Sequence, residues 1–161
     1  MNTRFTMGVF LLITALSGVG GVMAQEPPTT AEGLVQSMKR ADMTYRQLMQ
    51  MMGEATATMT LGILAENKQM VEQGTHFIFT HPAPNHNPWS IMPAEDQAGF
   101  KQALLAFDQI LDTHSRALLE AARAGDWAQA NQSYNDLTTA CITCHEAWRE
   151  KAVTRIAPPS D

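Results

Sequence analysis

The sequence predicts an all-α protein, an antiparallel four-helix bundle. Three observations predict it. Apolar or small residues recur at alternating spacings of four and three in three long stretches, 34–62, 100–121 and 130–148, which is the periodicity of one helix face. No stretch of useful length shows the two-residue alternation of a strand. The connections are mostly short, so we expect consecutive helices to run antiparallel.

The N-terminal segment 1–24 has the pattern of a secretory signal peptide. Arg4 is its only charge, an apolar run follows at 9–16, and small residues lead to Ala24. The apolar run is shorter than the about 20 residues that span a bilayer. We therefore predict cleavage after Ala24, a single exported domain of residues 25–161, and no stable membrane insertion.

The predicted mature chain is acidic. Without Arg4, 10 basic side chains stand against 16 acidic ones, a net charge of −6. Such a surface lacks the basic patch that nucleic-acid binding requires. It is suited to a solvated domain or to docking on a basic partner.

The first predicted helix begins after Thr30, a good N-cap residue, and continues without a proline to about Asn67. Its apolar stripe consists of Leu34, Met38, Ala41, Tyr45, Leu48, Met52, Ala55, Met59 and Gly62. The unbroken spacing predicts one long amphipathic helix.

A shorter second helix is predicted from Lys68 to Phe79. It should stop at His81, because the residue before a proline disfavours the helical conformation. The segment 82–93 contains four prolines and is predicted to be the one substantial loop.

The third and fourth helices are predicted from their end signals. Pro93 and the acidic residues after it favour a helix start, and Gly125 and Asp126 favour a stop followed by a new cap. The stripe of the third helix is Phe100, Leu104, Phe107, Leu111, His114, Leu118 and Ala121. That of the fourth is Ala130, Tyr134, Leu137, Cys141, Cys144 and Trp148.

The segment 141–145 reads C-x-x-C-H, which is typical of covalent haem attachment in c-type cytochromes. Thiols three residues apart on a helix face the same way, so Cys141 and Cys144 can both bond to one edge of a porphyrin. The adjacent His145 is then the predicted proximal axial ligand of the iron. We predict one haem c, held near the C-terminal end of the last helix.

Other interpretations of the two cysteines are a redox disulfide and a zinc site. A redox C-x-x-C is typical of a βα setting, whereas this one lies in a helical pattern. A closed zinc site requires four ligands, and only His76 and His81 have a suitable spacing elsewhere.

The chain resembles the class II c-type cytochromes, that is, the cytochrome c-prime family with its low-spin, methionine-ligated relatives. The resemblance covers roughly residues 31–153 and is strongest at 141–149. In that family the motif lies near the C-terminus and an arginine follows the haem histidine by four residues, as Arg149 does here. Segments 45–49 and 61–64 resemble the family's first helix, whereas the loop 82–93 departs from the family pattern.

The resemblance implies a periplasmic monohaem electron-transfer protein with redox partner proteins, rather than an enzyme. It also implies homodimers packed through the first helices. Tyr45, Met52, Trp148 and Arg149 are the residues expected in the haem pocket, besides the attachment motif. A peroxidase is disfavoured, because that chemistry requires polar acid–base groups above the iron and the first-helix stripe offers few.

The family divides at the sixth ligand of the iron. Members with a methionine there carry electrons, and members with an open distal site bind nitric oxide or carbon monoxide. The first helix here has six methionines: Met38, Met43, Met49, Met51, Met52 and Met59. Comparison with the family favours Met51 or Met49 as the distal ligand, and the others then fill the core or lie on the surface.

The remaining histidines are weaker candidates. His114 lies on the stripe of the third helix, where a core role is the simpler interpretation, and His86 lies in the loop. His76 and His81 lie near the end of the second helix, which adjoins the haem end of such a bundle. The sequence leaves their role open.

Overall fold

The computed structural model describes residues 27–152, and this part of the chain is mostly helical with little strand, consistent with the predicted all-α class. Its helices are α1 (Ala31–Ser37), α2 (Tyr45–Leu64), α3 (Lys68–Thr80), α4 (Gln97–Ala124) and α5 (Trp127–Trp148). Two short strands, β1 (Arg40–Ala41) and β2 (Ala83–Pro84), and two 3-10 turns, Pro88–Ile91 and Arg149–Lys151, complete it. The predicted signal peptide lies outside the described residues. Between residues 27 and 152, no helix has the combined length and apolar character needed to cross a bilayer.

The prediction of one long first helix is wrong. The structure divides it into α1 and α2, and β1 lies in the gap and pairs in parallel with β2. The amide of Ala83 donates to the carbonyl of Lys39 over 2.9 Å, and the amide of Asn85 donates to the carbonyl of Ala41 over 3.0 Å. Backbone groups that pair with a segment some 40 residues away are not available to a helix.

Local caps fix the ends of these two helices. The Thr30 hydroxyl accepts from the amide of Gly33 over 3.0 Å, which confirms Thr30 as the first cap. Thr44 and Gln47 form a reciprocal capping box that begins α2: the Thr44 hydroxyl accepts from the Gln47 amide, and the Gln47 side chain accepts from the Thr44 amide. Such a box stabilises a new helix start within what looked like a continuous stripe.

α2 ends before the predicted position near Asn67, whereas α3 begins at Lys68 as predicted. α2 ends at Leu64, and Asn67 caps α3 by accepting from the amides of Gln69 and Met70. The predicted stop at the end of α3 is confirmed, since His81 is the C-cap before Pro82.

The predicted boundaries of α4 and α5 are confirmed, except that α4 begins later than predicted. Gly125 adopts the left-handed conformation with φ of 81°, and the Asp126 side chain accepts from the amide of Gln129 to cap α5. α4 begins at Gln97, four residues after Pro93, because residues 94–96 form a turn before it.

Each of α2, α3 and α4 packs against the next helix along the chain, and α2 also contacts α5. One buried cluster joins these four helices and contains Met59, Val71, Leu118, Ala122, Ala130 and Leu137. A second cluster lies under α1 and the loop and contains Val35, Trp89, Met92 and Phe100. Residues of both clusters line the cavity described below.

Helices α2 and α3 approach so closely that a glycine is needed at their contact. A Cβ added to Gly74 would lie 2.7 Å from the carbonyl oxygen of Ala55 and 3.3 Å from the amide nitrogen of Met59. The absence of a side chain therefore sets the distance between the two helices at this level.

Candidate functional site

Helix α5 carries both cysteines in its last two turns. Cys141 and Cys144 are half-buried free thiols, three residues apart, and both line the same cavity. The helix is continuous through them, from the Asp126 cap to Trp148. The predicted common orientation of the two thiols is thus a consequence of helical geometry.

The cavity encloses about 300 Å³, at the lower end of the range typical of small-molecule and cofactor sites. Residues of all five helices contribute to its walls, which are mainly apolar and include Leu34, Leu48, Ile78, Leu104, Phe107 and Leu111. Ile142 also lines it and is 57% exposed, so the cavity reaches the protein surface beside the thiols.

Burial raises the pKa of both thiols, and the neighbouring Cys141 raises the pKa of Cys144 further. Their position near the C-terminal end of α5 also disfavours a thiolate, because that end of a helix dipole is negative. Dithiol redox sites need a thiol whose pKa is lowered. The surroundings here therefore disfavour a redox disulfide and keep both groups as neutral thiols.

His145 follows the second thiol directly and also lines the cavity, with an exposed side chain. It lies four residues from Cys141, on a neighbouring part of the α5 surface. The two thiols and the imidazole therefore border one space from a single helix.

The first half of α2 forms another wall. Met49 and Met52 both line the cavity, whereas Met51 is half-buried and is not among the lining residues. Tyr45 lines the cavity too, and burial, together with the nearby Cys144, raises the pKa of its phenol. Of the two methionines favoured by the sequence, the structure brings only Met49 to the cavity.

Two predicted pocket residues lie elsewhere in the described chain. The ring of Trp148 packs edge-on against Phe100, with ring centroids 5.4 Å apart, and belongs to the second cluster. Arg149 is exposed in the 3-10 turn after α5. Neither residue lines the cavity, whereas Tyr45 and Met52 do.

The structure distinguishes the two histidines whose role the sequence did not decide. His81 lines the cavity from the end of α3, while His76 is exposed and does not. Nδ1 of His81 lies 3.2 Å from the carbonyl oxygen of Pro82. Since a carbonyl oxygen only accepts, Nδ1 is the donor in this contact, and Nε2 is the ring nitrogen left for a ligand.

Asp108 is a cavity residue that the sequence reasoning missed. It lines the wall formed by α4, and burial, followed by the carboxylate of Asp112, raises its pKa, while His81 acts in the opposite sense. The sequence contained a pattern that could have identified it. Asp108 lies four residues after Leu104 and three before Leu111, so the helical spacing that assigned those two residues to the inner face assigns Asp108 to it as well.

Within residues 27–152, no three His, Cys, Asp or Glu side chains gather in a group that could hold a metal ion by themselves. A scan against protein-family models, a search of curated proteins and a search of solved structures each found no match.

Proposed function

We propose that this protein is a periplasmic c-type cytochrome that transfers electrons, with one haem held in an antiparallel four-helix bundle of α2 to α5. The observation that carries the proposal is that Cys141, Cys144 and His145, the chemical groups of the C-x-x-C-H segment, all line one mainly apolar cavity. The acidic charge of the chain and the predicted export signal support a partner-docking role outside the cytoplasm.

The residues present fit a covalently attached porphyrin. Cys141 and Cys144 would hold it through two thioethers, each formed by addition of an S–H group across one vinyl double bond, which requires no oxidant or reductant. Neutral thiols, with the raised pKa described above, are available for this addition. His145 offers a ring nitrogen to the iron from the same helix.

When bound, the haem supplies the one-electron couple between ferric and ferrous iron. The residues of the chain determine how readily that couple is used. The apolar walls exclude water, and low polarity around a haem disfavours the more highly charged ferric state. Met49 and Met52 on α2 present thioethers to the cavity, and a methionine paired with a histidine raises the potential of a c-type haem.

The alternative is a high-spin protein that binds nitric oxide or carbon monoxide at an open distal site. One observation favours it: Leu48, which lines the same α2 wall, is only 3% exposed and has no atom that can coordinate iron. If Leu48 rather than Met49 covers the iron, the sixth position stays open to a gas.

The test is to express the full chain, with its own N-terminal leader, alongside haem-maturation machinery and to examine the purified protein. Covalent haem is expected from the mass of the denatured chain. A low-spin spectrum in both oxidation states that does not change with carbon monoxide supports electron transfer. A high-spin spectrum that shifts with carbon monoxide replaces it with the gas-binding alternative, and a chain without haem refutes both.

The same protein allows the distal ligand to be assigned. Met49→Leu is expected to convert a low-spin spectrum to a high-spin one that binds carbon monoxide. Met51→Leu is the matched control on the same turn of α2 and should leave the spectrum unchanged, because Met51 does not line the cavity. A converse result would restore Met51 as the ligand, and a response only to Met52→Leu would assign Met52.

A further inference from the structure

The wall opposite the two thiols comes from α3. Helix α5 packs against α4 and α2, and α3 packs against the same two helices, so α3 and α5 lie on opposite sides of the space between them. The cavity residues of α3 are Ile78 and His81, both in its last turn or at its end. A flat group anchored at Cys141 and Cys144 and extending across the cavity therefore points its far edge at His81.

Asp108 is a second polar residue of the cavity lining that lies near His81. Asp108 on α4 lines the cavity, interacts electrostatically with His81 and is half-buried. Apart from His145 on α5, these two are the only histidine or carboxyl side chains among the described residues that line the cavity. The other titratable groups of the lining are Tyr45, Cys141, Cys144 and His145, while Asp112 and Arg116 form an ion pair nearby on α4.

A haem c carries chemical groups that His81 and Asp108 are suited to bind. The edge opposite the two vinyl-derived bonds carries two propionate carboxylates, which require donors or cations once they leave water. We propose that His81 and Asp108 receive the propionate edge of the haem, His81 as an imidazolium and Asp108 as a neutral carboxylic acid that donates a hydrogen bond. This inference rests on the proposed function, because it assigns the residues that hold the far end of the same cofactor.

The arrangement has a measurable consequence. A proton lost from His81 or Asp108 adds negative charge at the haem edge and stabilises ferric over ferrous iron. The midpoint potential of the protein with haem attached should therefore fall as the pH rises from about 4 to 8, the range in which Asp and His side chains ordinarily titrate. Reduction is then accompanied by proton uptake at this pair.

The experiment is a potentiometric titration of the haem-containing protein at a series of pH values. His81→Gln and Asp108→Asn are each expected to remove roughly half of the fall in potential, since two groups share it. His76→Gln on α3 and Glu120→Gln on α4 are matched controls, because both residues are exposed on the same helices and do not line the cavity. They should leave the profile unchanged.

Several results would overturn the inference. One is a midpoint potential of the unaltered protein that does not change between pH 4 and 8. This measurement does not depend on the folding of any variant. Another is an unchanged profile in both cavity variants. A third is a change of iron spin state in His81→Gln, because His81 would then be an axial ligand rather than a partner of the edge. If the unaltered chain carries no covalent haem, the proposed function itself fails, and that outcome is seen before any titration.

Discussion

Helices α2, α4 and α5 each pass through two regions: a packed region, where the helices contact one another directly, and a cavity region, where they line the cavity. The apolar stripe of each helix has different surroundings in these two regions. In the packed region Met59, Leu118 and Ala130 are completely buried. In the cavity region Met52, Leu104 and Phe107 occupy equivalent stripe positions but are only half-buried. Periodicity thus orients side chains towards the interior in both regions, yet only one of them is filled by protein.

The difference supports the proposal that the cavity region binds a cofactor. Apolar walls that face an unfilled space expose surface whose burial would contribute about 25 cal/mol per Å². Soluble proteins rarely leave contiguous apolar patches exposed unless something binds there. The only two cysteines of the sequence lie at the wall of this space and, under the proposed function, would attach the cofactor.

The largest expected effect is on the cavity region. Replacing both thiols, Cys141→Ser with Cys144→Ser, should abolish covalent haem attachment, because no other cysteine exists in the chain. The mass of the denatured protein measures it directly. Thr143→Ser, between the two thiols, is the control and should retain haem, since Thr143 is exposed and its hydroxyl bonds only to the Thr139 carbonyl on the same helix. Covalent haem on the double variant would contradict the assignment.

The next effect contrasts two glycines. Gly74→Ala in the packed region should lower the free energy of unfolding by about 3 kcal/mol or more, because the new methyl group forces α2 and α3 apart. Gly53→Ala at the cavity has no atom within 4 Å of its added Cβ and should instead stabilise the haem-free chain by about 0.5–1 kcal/mol through helix propensity. Urea denaturation followed by circular dichroism measures both, and effects of equal sign would refute the contrast.

A third comparison truncates one leucine from each region of α4. Leu118→Ala removes a completely buried side chain and should cost about 3 kcal/mol. Leu104→Ala, half-buried beside the cavity, should cost only about 1 kcal/mol in the haem-free chain, because it enlarges a space that already exists. Haem attachment should increase the cost of Leu104→Ala, since the side chain then has a neighbour. Equal costs in the haem-free chain would mean that the cavity region is packed as tightly as the rest.

The smallest effect concerns Asp108 and pH. Burial raises its pKa in the folded chain, so folding disfavours the ionised form, and stability is lost as the pH rises from about 4 through the raised pKa. Asp108→Asn should therefore stabilise the haem-free chain at pH 7, and the gain should vanish below about pH 4. Thermal unfolding at both pH values measures it. Glu120→Gln, at an exposed position of the same helix outside the cavity lining, is the matched control. A destabilising Asp108→Asn at pH 7 would contradict the sign.

Sequence reasoning succeeded where the cause is local. The caps at Thr30 and Asp126, the left-handed Gly125 and the stop before Pro82 depend on residues within one turn of the helix end. It failed between Ser37 and Tyr45, where the stripe continues without interruption but the backbone pairs with the loop instead. For the distal ligand it left Met51 and Met49 as alternatives, because the position of each relative to the cavity depends on how α2 is rotated.

The sequence by itself determined that the chain is helical and that Cys141, Cys144 and His145 lie close together, because helical periodicity and a five-residue motif are properties of neighbouring residues. Only the tertiary structure decided that Met49 rather than Met51, and His81 rather than His76, reach the cavity. The rotation of each helix about its axis is set by contacts with partners distant in the chain, such as the close approach at Gly74. The pairing of β1 with β2, which divides the first helix, has the same origin, since it joins segments that no local pattern connects.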